Sequence, residues 1–218
     1  GSSITYYGNG QTNAGTYSVK VLIQKENYQD MELYTNLVIH KAQAAIWAEP
    51  FQSHVYDGSV KTVQAWLNHS ETYLAYTPQQ GYTDAGSYTI TVSANETQNY
   101  FSTSATVTLF IDKARFQGVS FPGAEYTYNG SPYALSVNGA PEGARVTYTG
   151  NNRTNAGTYK VTALVQMKNY YDLELEAELI IHKAPQQILF EEIVLKHLED
   201  DPDFQLEATS TSGLPVSY

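Results

Sequence analysis

Asn13-Ala14-Gly15-Thr16-Tyr17, Asp84-Ala85-Gly86-Ser87-Tyr88 and Asn155-Ala156-Gly157-Thr158-Tyr159 are three copies of one pattern, evenly spaced along the chain. Asx followed closely by Gly is turn chemistry: the Asx side chain bonds its own backbone, and Gly takes a positive φ without steric cost. Strict alternation follows each copy. Tyr159, Val161, Ala163 and Val165 fall on one side and Thr158, Lys160 and Thr162 on the other, and Tyr17-Val19-Val21-Ile23 and Tyr88-Ile90-Val92-Ala94 repeat the pattern. Each stretch reads as a turn that launches a half-buried strand led by its Tyr.

A second signature closes each repeat. Leu37-Val38-Ile39-His40-Lys41-Ala42, Leu109-Phe110-Ile111-Asp112-Lys113-Ala114 and Leu179-Ile180-Ile181-His182-Lys183-Ala184 end strands and pass the chain straight on. In the third, Leu173, Leu175, Ala177, Leu179 and Ile181 alternate with Glu174, Glu176 and Glu178, giving one apolar and one acidic face. A period of about 70 residues predicts an array of small units, each with a small core that gains from packing on its neighbours.

The repeats set the boundaries. Val146-Thr147-Tyr148 corresponds to Ile4-Thr5-Tyr6 and to Val216-Ser217-Tyr218. The expected domains are a C-terminal part-unit (1–42), two whole units (43–114 and 115–184) and an N-terminal part-unit (185–218). Part-units bring incomplete cores and open strand edges. Either each is ordered by packing within the chain, or the tail of one molecule completes the head of another, a head-to-tail self-association. Gly1 has the look of a tag remnant, so targeting or anchoring segments are expected outside this stretch.

Composition fixes the class. Tyr is abundant at 19 and charged residues make up only 16%, with Thr, Ser, Asn and Gly filling much of the rest, which suits short strands joined by polar turns. The chain reads as all-β. The net charge of -10 argues against nucleic acid, which needs clustered Lys and Arg. The absence of Cys removes disulfides, a thiol nucleophile and Cys-bearing zinc sites. No apolar run approaches the roughly 18 residues of a membrane span, so no membrane insertion is expected here.

Tyr56-Asp57-Gly58 and Tyr128-Asn129-Gly130 are strong turns, Asn27-Tyr28, Asn99-Tyr100 and Asn169-Tyr170 follow the long strand, and Ile-x-Lys-Ala ends each unit. Recurring in this order, these motifs resemble the tandem MBG/YDG-type repeats of large bacterial surface and adhesin-like proteins. The resemblance covers essentially the whole chain, departing at Leu198-Glu199-Asp200-Asp201, where the family usually has Tyr-Gly-Asp. It implies an extracellular, cell-surface setting. The Asx-Ala-Gly-Thr/Ser-Tyr stretch is also similar to the tyrosine corner of immunoglobulin-like sandwiches, in which a Tyr starting the penultimate strand bonds back to the preceding turn. Tyr17, Tyr88 and Tyr159 would be these structural tyrosines, with Val19, Ile90 and Val161 inward two residues later. Tandem small Ig-like β-sandwich modules of about 70 residues are therefore expected, with β-grasp-like modules as the alternative, although no stretch of about ten or more residues reads as the amphipathic helix a β-grasp needs.

Chemistry is sparse. His40 and His182 occupy equivalent places where the second unit has Asp112, a swap that a catalytic or metal role would not tolerate. Glu199-Asp200-Asp201-Pro202-Asp203 lacks EF-hand spacing and reads as an acidic turn. No nucleophile elbow or phosphate-binding Gly pattern occurs. No enzyme activity, cofactor or metal is expected. Tyr28, Tyr100, Phe101, Tyr170 and Tyr171 precede the closing strands and are the candidate ligand-binding residues, since loop-end aromatics stack on sugars or anchor proteins. Because Asn-Tyr recurs in every unit, these residues also suit a joint between units. Two functions follow: a non-catalytic spacer or stalk on a secreted or cell-surface bacterial protein, or an adhesive module binding glycan or host protein through those tyrosines.

Overall fold

The computed structural model describes residues 1–192 and 207–217, and the chain divides into two compact units, Gly1–Arg115 and Phe116–Tyr218. In the first unit, β1 (Ser2–Tyr7), β2 (Gly15–Lys25) and β3 (Met31–Ile39) form one antiparallel sheet in that order. Next come β4 (Ile46–Trp47), β5 (Phe51–Val55), β6 (Lys61–Thr62), β7 (Trp66–Leu67), β8 (Leu74–Thr77), β9 (Gly81–Tyr82), β10 (Gly86–Ala94) and β11 (Thr103–Asp112). These build a four-stranded sheet ordered β5-β11-β10-β8, with the short ladders β4-β7 and β6-β9 beside it. The second unit repeats the plan. Strands β12 (Ala124–Thr127), β13 (Arg145–Thr149), β14 (Gly157–Gln166) and β15 (Leu173–His182) form a sheet ordered β12-β15-β14-β13, and β16 (Ile188–Phe190) pairs with β17 (Ala208–Ser210). The described residues are all-β, and in each of the two repeats a four-stranded sheet is covered on its apolar face by residues from other segments of the same repeat.

The alternation read from sequence sets the inward face. Ile90, Val92, Val107, Leu109 and Ile111 of β10 and β11 are fully buried and meet Val63, Ile46 and Ala48 from the opposing layer. In the second unit Val161, Ala163, Leu179 and Ile181 are closed over by Phe121 and Leu135. Burying each such Val, Leu or Ile stabilises by about 1.5–3 kcal/mol. Residues 1–42 keep the same register: Ile4 faces Ile23 and Tyr6 faces Val21, as Val146 faces Val165 and Tyr148 faces Ala163. Their inward face is open, however, with Ile4 and Leu33 each more than half exposed.

Two features add to or depart from what the sequence predicts. The opening strand runs parallel to the closing strand of its own module: Phe51–Val55 lies along Thr108–Asp112, and Ala124–Thr127 along Leu179–His182. This pairing rests mainly on backbone hydrogen bonds, which leave no mark in a sequence. The ladder extends to the Tyr-Asx-Gly turns, where the Tyr56 and Tyr128 N–H groups donate to the Asp112 and His182 carbonyls at 2.8 and 2.9 Å. The second feature is a correction to the role of the corner glycines. Gly58 and Gly130 of the Tyr-Asx-Gly turns do take a positive φ, but Gly15, Gly86 and Gly157 do not. They are needed because the following Tyr folds back over them. A Cβ on Gly86 would lie 3.1 Å from the Tyr88 hydroxyl oxygen, and those on Gly15 and Gly157 would be as crowded.

Candidate functional site

The corner comes first, since everything else is mounted on it. Tyr17, Tyr88 and Tyr159 donate to the carbonyls of Asn13, Asp84 and Asn155, each at 2.9 Å. Val19, Ile90 and Val161, two residues on, are buried. Tyr88 also stacks on Tyr82 with ring centroids 3.8 Å apart. Each corner thus holds its Asx-Ala backbone rigidly at one end of a module.

Within the first unit this rigid backbone is a receptor. The loop between β10 and β11 brings Asn99 to it: the Ala14 N–H donates to Asn99 Oδ1 at 2.7 Å, and Asn99 Nδ2 donates to Asn13 Oδ1 at 3.1 Å. The Ala42 N–H donates to the Asn99 carbonyl at 2.7 Å, and the Phe101 N–H donates to the Ala42 carbonyl at 3.0 Å, adding one parallel bridge between the segments. Lys41 Nζ pairs with Glu96 and donates to the Thr97 carbonyl at 2.7 Å. Both signatures of the preceding repeat, Asn-Ala-Gly and Lys-Ala, are therefore engaged by one loop of the next.

A second set of residues holds that loop. Glu71 accepts from Thr97 Oγ1 and Asn99 Nδ2, both at 2.7 Å. These bonds, Thr97 first, hold its carboxyl below the ordinary 4.5. His69 stacks on Tyr100 with centroids 3.8 Å apart and planes 6° from parallel. Its Nδ1 accepts the Glu71 N–H at 3.2 Å, which places the ring proton on Nε2, a buried atom with no hydrogen-bond partner. His69, Glu71 and Thr97 were not legible as joint residues, because they belong to no motif that recurs along the chain.

The other loop-end aromatics divide. Tyr28 is 68% exposed beneath the Lys25 ammonium, 4.7 Å from its ring centroid. Tyr170 stacks on Phe116 at 4.9 Å, while Phe101 and Tyr171 are about two-fifths exposed. Tyr28 lies in the β2–β3 loop and Tyr100 in the β10–β11 loop. Elsewhere the polar chemistry is local. Asp57 caps its turn through Ser59 and pairs with Lys61, which holds its carboxyl far below the usual range. His182 meets Glu125 at 2.8 Å on an exposed strand end, and His40 is exposed. Among the described residues no three His, Asp or Glu side chains gather as a metal-binding set. His197 and the acidic stretch 199–203 lie outside the described residues.

No curated protein matches the chain. Among solved structures, a protocadherin GammaB4 extracellular domain aligns at 13% identity and a TM-score of 0.32, covering 95% of this chain and 50% of that one. Drosophila N-cadherin EC1-3 aligns at 12% and 0.28, covering 78% of each chain. A SusE-like surface-located polysaccharide-binding protein of Bacteroides thetaiotaomicron aligns at 10% and 0.28, covering 86% of this chain and 36% of that one. This chain thus spans about half the length of the protocadherin it matches. The MBG domain family model matches residues 1–43, 52–115 and 118–185, one segment per repeat, and the chain belongs to the MBG domain family.

Proposed function

We propose that these modules are non-catalytic structural spacers of a secreted or cell-surface bacterial protein, a stalk that holds other domains at a distance. The observation that carries this reading is the fate of the Asn99-Tyr100 loop. The best-built loop-end aromatic is turned into the seam between repeats, with Asn99 on the Asn13-Ala14 corner and Tyr100 covered by His69. A loop used this way positions the next module and leaves its aromatic face unavailable to a ligand. The family supports a repeat module, and the scatter of Tyr28, Phe101 and Tyr171 over separate loops supports a spacer over an adhesive surface. Probing glycan arrays and immobilised matrix proteins with the whole chain tests it. Silence across both is expected. Saturable binding to one glycan or protein, lost on Tyr28→Ala or Tyr171→Ala, would replace the spacer with the adhesive reading.

A further inference from the structure

Trp47 and Trp66 are the two tryptophans of the chain. They oppose each other across the antiparallel β4-β7 ladder, where Ile46 pairs with Leu67 and Trp47 with Trp66. Alternation sends Ile46 inward onto the core around Val63 and Ile90 and leaves both indoles outward, 63% and 61% exposed. The fold does not call for them. With the repeats aligned on Lys-Ala and Tyr-Asx-Gly, Val119 and Asn138 stand at these positions in the third repeat, which makes an antiparallel Ser120–Asn138 bridge there without any tryptophan. Their exposure owes nothing to a chain end, since the ladder lies inside the whole repeat 43–114.

The size and chemistry of this surface select its ligand. Directly opposed residues of an antiparallel pair have Cβ atoms about 4.5–5.5 Å apart, so the two indoles stand side by side on one face. At about 150–250 Å² for a whole Trp side chain, they offer roughly 200–300 Å² of apolar surface between them. A specific protein interface takes about 800 Å² from each partner, so the patch suits a narrower ligand. Gln64 and Glu49, two residues from the indoles along their strands, are exposed and bring oxygens that accept from hydroxyls, while each indole adds an N–H donor. The net charge of -10 disfavours an anion. A ligand with flat C–H faces, hydroxyls at its edges and no charge is a pyranose chain. Linkage β-1,4 with equatorial substituents keeps those faces flat from one ring to the next.

We propose that Trp47 and Trp66 form a stacking platform for a neutral β-1,4-linked glycan, with successive sugar rings lying on the two indoles and their hydroxyls reaching Gln64 and Glu49. Two stacks, offset by the cost of ordering a flexible chain, give a Kd on the order of 1 mM. A contact this weak is lost in the washing of an array, so silence there stands beside binding here. It gains strength where many stalks lie along one polymer. The platform shares no residue with the loop-end tyrosines, so it is separate from the adhesive reading set against the spacer.

Because both tryptophans of the chain are in the site, the two indole N–H signals of a heteronuclear NMR spectrum report on it alone. The whole chain is titrated to about 10 mM with cellopentaose, a glucose oligomer, and with chitopentaose, an N-acetylglucosamine oligomer. Saturable shifts of both indole signals with at least one of them are expected, and the tighter of the two identifies the glycan. Maltopentaose, whose α-1,4 linkages turn successive ring faces out of one plane, should bind at least about tenfold more weakly. Trp47→Ala and Trp66→Ala, each read on the remaining indole, should weaken binding at least about tenfold while leaving the melting midpoint within a few degrees of the parent, since both side chains are exposed. Indole signals that stay in place with both β-linked sugars overturn the proposal. So does an equal response to maltopentaose, or binding that survives in both variants. Binding lost on Tyr28→Ala or Tyr171→Ala with the tryptophans intact would overturn it as well.

Discussion

Replacing Tyr88 by Phe while probing Gly86 isolates the corner. The Tyr88 hydroxyl makes one half-buried bond of 2.9 Å to the Asp84 carbonyl. A neutral bond of this kind contributes about 1 kcal/mol net. For a module of about 70 residues that loss lowers the melting midpoint by about 4–8 °C. Gly86→Ala attacks the same contact from the other side. Its Cβ would lie 3.1 Å from the hydroxyl oxygen and 3.2 Å from Cζ, and the ring cannot retreat because Tyr82 stacks on it at 3.8 Å. Such overpacking costs about 1–3 kcal/mol, offset in part by the roughly 0.4–1 kcal/mol that Ala gains through a less flexible unfolded chain. In the Tyr88→Phe background the nearest atom is gone, so Gly86→Ala should be milder there. The double-mutant cycle by thermal and urea unfolding should show coupling on the order of 0.5–1 kcal/mol. An unchanged midpoint for Tyr88→Phe, or strictly additive effects, would refute the corner as a hydrogen-bonded, sterically closed device.

Three further outcomes follow. Asn99→Ala deletes three side-chain hydrogen bonds of the joint and should weaken docking of residues 1–42 by about 1–3 kcal/mol, seen as faster hydrogen exchange of the Ala14 amide. Glu71 has its pKa lowered by Thr97 and Asn99, so its contribution is present above the ordinary 4.5 and is lost as pH falls through the lowered value. Ala14 protection should therefore decline below about pH 4.5, and Glu71→Gln should remove that dependence. Leu109→Ala, at a fully buried site, should cost about 2–5 kcal/mol by urea unfolding, and Leu37→Ala at the equivalent half-buried position of the open sheet clearly less.

The strands that carry the core were legible because their side chains alternate and their turns repeat: Tyr17, Tyr88 and Tyr159 announced the penultimate strand, and the Ile-x-Lys-Ala endings announced the last. The reason for the corner glycine was hidden. Asn-Ala-Gly suggests a positive φ, whereas only the folded ring of Tyr88 shows that the constraint is space. The opposing layer was legible only in part, since β4, β6, β7 and β9 are two residues each, too short for any period to register. The joint was visible in outline through the recurring Asn-Tyr. What covers the Tyr100 ring is His69, a residue whose sequence context resembles nothing in the other repeats.

The parallel pairing of opening and closing strands has a mechanical consequence. Tension along a string of modules passes the two-residue β4–β7 ladder, then enters β5 at Phe51 and leaves β11 at Asp112. Because the two strands point the same way, the pull slides one past the other. The five register pairs from Phe51–Thr108 to Val55–Asp112, and the Tyr56-to-Asp112 bond beyond them, then bear load together in shear rather than opening one at a time. Forced unfolding is governed by the height of the unfolding barrier, and simultaneous rupture raises that barrier above that of an unzipping hairpin. The β12–β15 pairing gives the second whole module the same clamp.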